Sequence, residues 1–179
     1  MPPDSALLYS AVLRPLEPRH AVLPLAVALA VCETAEVLRP GSECKVKWPN
    51  DVHLDGRKLA GILIEARPQD GWAVLGVGLN LTIEEFPEEL RDRATSLFPV
   101  TGDDPSDVLS DRLAMWLDAE AEAVLGAWRA RDALLGREVS WDEGSGTADG
   151  VDERGYLLVR LADGDRVALG AGDVHLTGF

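Results

Sequence analysis

The sequence predicts an α+β protein: a main domain of helices and hairpin-linked strands over residues 1–134, then a small all-β unit over residues 135–179. Three observations carry this reading. A long apolar run, residues 21–38, is stopped by Pro40-Gly41 in the way helices stop. Asp55-Gly56 stands between two strand-like stretches, a strong hairpin signal. Beyond Leu134 the chain breaks into short strands separated by Gly- and Asp-rich turns, the pattern of a small barrel.

Residues 7–13 read as a short apolar strand closed by Arg14-Pro15. In the helix over 21–38, Pro24 is tolerable only in the first turn. Cys44, Val46 and Trp48 alternate with Lys45 and Lys47, which predicts a half-exposed strand. Residues 52–54 and 58–65 flank the Asp-Gly turn. Residues 72–81 are apolar almost throughout and are expected to form a strand buried on both faces. Residues 82–101 read as an acidic loop. Asp104-Pro105 resembles an N-cap with proline at the first helical position. It opens a single helix to about Arg131, with Leu109, Leu113, Trp116, Leu117, Val124 and Trp128 as a core-packing stripe. The terminal strands are expected at 138–141, 147–151, 156–161, 166–169 and 174–176.

A net charge of −14 over 179 residues argues against a nucleic-acid partner, because phosphate contacts need clustered Lys and Arg. Cys32 and Cys44 have no metal-ligand spacing and do not make a disulfide framework, so a cytoplasmic setting is expected. The apolar stretch 21–32 falls short of the roughly 20 residues that cross a bilayer, and no membrane association is expected. The N-terminus does not read as a signal peptide.

The chemistry concentrates near residue 50. The chain has three lysines, Lys45, Lys47 and Lys58, all inside residues 45–58. Its two asparagines, Asn50 and Asn80, stand beside the lysine pair and at the end of the 72–81 strand. One reading is compositional drift on a solvated strand. The other is a site for anions, where Lys47 and Lys58 supply charge while Asn50, Asp51 and Asn80 hold phosphate or hydrated Mg²⁺. Gly76-Val77-Gly78-Leu79-Asn80 lacks the third glycine of a dinucleotide fingerprint. Its glycines more simply let a ligand or strand approach the backbone. His20, His53 and His175 read as surface or turn histidines.

Three ordered segments, Lys47-Trp48-Pro49-Asn50-Asp51, Arg57-Lys58-Leu59-Ala60-Gly61-Ile62-Leu63-Ile64-Glu65 and Gly76-Val77-Gly78-Leu79-Asn80, resemble signatures of the biotin–protein ligases. The last 45 or so residues resemble that family's SH3-like C-terminal barrel. The resemblance implies a class II aminoacyl-tRNA-synthetase-like catalytic domain followed by that barrel. It implies activation of biotin by ATP and transfer to a lysine of a biotin carboxyl carrier domain. It places Lys58 at the biotin carboxylate and α-phosphate, and Gly61 and Ile62 at the wall of the biotin pocket. Lys47, Trp48, Asn50, Asp51 and Asn80 fall on the ATP side, with Asn50 and Asn80 toward Mg²⁺; for Trp48, packing beneath the site is an equal alternative. The family's Gly/Arg-rich loop, of the form GRGRxGR, does not occur in this sequence, so the resemblance implies an incomplete catalytic domain with an exposed sheet edge. Left open are a homodimer, a non-catalytic remnant that binds biotin or nucleotide weakly, and a protein-interaction module.

Overall fold

The protein is described from a computed structural model over residues 5–170, 172 and 174–176. Strand β1 (Ala6–Leu13) leads through a 3₁₀ turn (Pro18–Val22) into helix α1 (Leu23–Leu38). Strands β2 (Cys44–Lys47), β3 (Asp51–Leu54), β4 (Arg57–Arg67) and β5 (Trp72–Asn80) complete an antiparallel sheet in the order β1-β5-β4-β3-β2. Helices α2 (Pro105–Asp118) and α3 (Ala121–Arg129) follow a long loop. Strands β6 (Glu138–Trp141), β7 (Gly144–Val151), β8 (Leu157–Arg160), β9 (Arg166–Leu169) and β10 (His175–Leu176) form a second antiparallel sheet, ordered β10-β6-β7-β8-β9.

Helix α1 is the centre of the molecule. Residues 25–32 are all buried, because one flank meets the sheet and the others meet α2 and α3. With its 3₁₀ lead-in, the helical span Pro18–Leu38 reaches 21 residues and is apolar enough to cross a membrane by length and composition. This lengthens the apolar segment read from the sequence, yet the span is enclosed by the fold as a core helix. Both cysteines are buried and free. A hydrogen bond from the Cys32 thiol to Cys44, together with burial, raises the Cys32 pKa well above its ordinary value.

Two expectations are corrected. Strand β5 is not buried on both faces: Ala73, Leu75, Val77 and Leu79 enter the core, while Trp72, Val74, Gly76, Gly78 and Asn80 face a half-open surface. The helices α1, α2 and α3 all lie on the other side of the sheet. The helix expected from Asp104 to Arg131 is broken at Ala119 and Glu120, both of which adopt extended backbone. An unbroken helix of that length would run about 40 Å and overhang α1, which is about 24 Å long. The break instead lets α3 turn back onto α1 and the 3₁₀ turn, burying Val124, Leu125 and Trp128.

The outer edge of β2 is met by residues 131–133, through Val46 N–H to Arg131 O (2.8 Å) and Ala133 N–H to Val46 O (2.9 Å). A single buried cluster runs from α1 into Val139, Ala148, Val151, Leu157 and Val159 of the second sheet.

Candidate active site

The open face of the first sheet carries one row of cross-strand partners through all five strands. Leu8 on β1 pairs with Gly78 on β5, Gly78 with Gly61 on β4, Gly61 with Asp51 on β3, and Asp51 with Lys47 on β2. All five residues line one cleft of about 850 Å³. A second hollow of about 490 Å³ adjoins it, sharing Leu8, Lys58, Gly61 and Gly78 and adding Ser10, Leu63 and Gly76. Three glycines thus floor a channel flanked by Leu8 and Leu63, which are 78% and 64% exposed. The glycine spacing read from the sequence is explained by this floor, where side chains would fill the space a ligand needs.

Lys58 lies over the middle of that row, against Gly61 and Asp51. Residues 58 and 61 are an odd number apart, so a regular strand would put them on opposite faces. A β-bulge resolves this: Val52 pairs with Ala60 and His53 with Lys58, leaving Leu59 as the extra residue. Leu59 and Ala60 are both buried, and Lys58 swings onto the face of Gly61. A Cβ at position 61 would stand 3.3 Å from Lys58 Cε and 3.4 Å from its Nζ. The ammonium pairs with Asp51 Oδ1 at 2.5 Å, with the Lys58 side chain 47% exposed. Asp51 is only 17% exposed, but the half-exposed ammonium can turn from it to an incoming anion.

Asn50 is fixed to β4 by two bonds, Asn50 Nδ2–H to Ile62 O and Ile62 N–H to Asn50 O, each 2.9 Å. The Ile62 side chain points into the core, so only its backbone reaches the open face. Asn80 Nδ2–H donates to Thr95 O (3.0 Å), and the residue lines the cleft. Trp48 is not brought to the cleft: it is 3% exposed and its indole N–H donates to Gly155 O (2.9 Å) in the second sheet's unit. Asn50 and Asn80 line different hollows, and among the described residues no cluster of three His, Cys, Asp or Glu could hold a metal. Mg²⁺ is commonly held by one or two side chains together with substrate phosphates rather than by an all-protein cage.

His53 and His175, read from the sequence as surface or turn histidines, line the cleft, as does Arg93, for which the sequence carries no signal. His53 lies two residues beyond Asp51 on β3 and so shares its face, a relation the strand period could have shown. Burial lowers its pKa, while Asp51 opposes the shift. Its Nδ1 lies 3.2 Å from Gly56 O, so Nδ1 carries the proton and Nε2 is the acceptor. Arg93 arrives on the acidic loop, whose backbone zips onto β4 through Lys58 N–H to Arg93 O (2.8 Å). His175 comes from β10, across the fold. His20 is a turn residue, as expected: Nδ1 accepts from Glu17 N–H, and Nε2–H donates to Leu117 O.

Residues 1–80 match the biotin/lipoate A/B protein ligase family, and residues 134–176 match the biotin protein ligase C-terminal domain. The chain belongs to the biotin protein ligase family. Both matches fall where the two sheets fall, and the first contains all five residues of the row. The chain is 37% identical to a biotin--[acetyl-CoA-carboxylase] ligase of Mycobacterium tuberculosis over 86% of its own length and 62% of that protein. It is 33% identical to the ligase of the same name from Paracoccus denitrificans, over 72% of its length and 61% of that protein. It therefore spans about three fifths of these ligases. The fold is similar to that of the biotin protein ligase of Aquifex aeolicus solved in complex with biotin and ATP, with a TM-score of 0.78 and 28% identity. That similarity covers 97% of this chain and 79% of the other. The second sheet corresponds to the ligases' SH3-like C-terminal unit.

Proposed function

We propose that this chain carries the biotin- and ATP-handling site of a biotin–protein ligase. The observation that carries the reading is the row Leu8–Gly78–Gly61–Asp51–Lys47, with Lys58 held over its glycines. A bare backbone floor between apolar walls suits a flat, apolar acyl substrate with a carboxylate at one end. Lys58 stands where such a carboxylate would meet a phosphate, and its charge offsets the repulsion between two anions. In the first step a biotin carboxylate oxygen attacks the α-phosphorus of ATP and pyrophosphate leaves, giving biotinyl-5′-adenylate. In the second a lysine amine of a biotin carrier domain attacks the acyl carbon, AMP leaves, and the amine proton is lost. Lys47, Asp51 and Asn80 line the nucleotide side, with Arg93 and His53 beside them. Mg²⁺ would come with the ATP phosphates. Two free buried thiols support a reducing, cytoplasmic setting, and we place the unit boundary at 134/135.

The test is to incubate the chain with biotin and ATP and trap the activated acyl group with hydroxylamine. Biotin hydroxamate is expected from the native chain, and at least about 100-fold less from Lys58→Ala at unchanged melting temperature. Equal yields from both would remove Lys58 from this role.

A further inference from the structure

We propose that the turn at residues 152–156 of the C-terminal unit is a positioning element for the ligand-binding row, acting through Trp48. Trp48 follows Lys47 and precedes Asn50 and Asp51, so its placement fixes the chain between two members of the row. Its indole N–H donates to Gly155 O at 2.9 Å. Gly155 sits at φ +78°, and a Cβ there would meet Leu25 Cδ1 at 3.2 Å and Val22 Cγ1 at 3.6 Å. The apex of the turn is therefore seated against the start of α1 and needs glycine to do so.

The turn is braced from within, as a rigid anchor requires. Asp152 N–H donates to Tyr156 O (3.0 Å), and Gly155 N–H donates to Asp152 O (3.1 Å). Asp152 Oδ1 accepts from the N–H groups of Arg154 and Tyr156, both at 2.9 Å. On its other side the same segment is tied to β4 by the paired Asn50–Ile62 bonds. Trp48-Pro49-Asn50 is thus held between the sheet and the second unit's turn. Asp51 emerges from that clamp to hold Lys58. Phenylalanine at position 48 would fill the same space but leave Gly155 O without its donor.

The ligand half of this proposal rests on the ligase reading; the structural half does not. The test compares Asp152→Ala and Trp48→Phe with Asp163→Ala, which removes the equivalent brace (Oδ1 to Asp165 N–H, 3.0 Å) from another turn of the same unit. Hydrogen exchange of the residue 50–52 amides in the ligand-free protein is expected to speed up about tenfold in the first two and stay unchanged in the third. ATP affinity is expected to fall about tenfold in the first two at a melting temperature matching Asp163→Ala. Unchanged exchange at 50–52 in both variants, or equal acceleration in Asp163→Ala, overturns the positioning role. Faster exchange in a chain whose native form binds no ATP supports the positioning role and refutes the ligase reading.

Discussion

Lys58 and Gly61 show how a site can be half written in a sequence. The clustering of all three lysines near Asn50 points to this stretch, while a regular strand would put Lys58 and Gly61, three residues apart, on opposite faces. The bulge at Leu59 reverses that, and it depends on pairing with β3, which no local pattern records. Gly61→Ala is expected to push Lys58 off its position without disturbing the core, since only the flexible end of Lys58 is in the way. Hydroxamate formation should fall about tenfold or more at unchanged thermal stability. A variant with native yield would show that the Lys58–Gly61 contact does not matter. For Trp48 the motif left a ligand contact and packing beneath the site both open, and its buried indole, bonded to Gly155 O, takes the second.

At the scale of elements, structure is legible in the sequence where local rules decide and hidden where packing decides. The strands around Asp55-Gly56 and the N-cap at Asp104 follow from turn and capping chemistry. Asp104 accepts from Ser106 and Asp107 at the start of α2, as its sequence position predicts. The break between α2 and α3 has no proline or glycine to mark it, and the apolar stripe continues in phase across it. The open face of β5 was hidden because glycines count as apolar in a pattern but cover nothing. Hydrogen bonds from Ser106, then from backbone amides, hold the Asp104 carboxyl below its usual value. Its contribution is therefore present above the unfolded value of about 4 and is lost as pH falls through the lower folded value. Asp104→Ala should lower the melting temperature at pH 7 and have no effect near pH 2; an equal loss at both would contradict the cap. Trp128, fully buried where α3 meets the core, should cost about 3–5 kcal/mol on replacement by alanine, measured by urea unfolding.

At the scale of the whole molecule, the two sheets share one buried cluster and one cleft. The first sheet supplies the row and Lys58, while β10 of the second brings His175 and Leu176 to the same opening. Net charge and composition could not show this convergence, because it depends on how one unit docks against another. The three motif segments account for the first sheet's share: one spans the end of β2, the turn and the start of β3, and the others lie on β4 and β5. The account stands on that sheet being able to activate biotin with the residues this chain contains. The most direct measurement is biotin-dependent exchange of labelled pyrophosphate into ATP by the 179-residue chain with Mg²⁺ present. Exchange that requires biotin and disappears in Lys58→Ala is expected. A folded chain that shows no biotin-dependent exchange would contradict it.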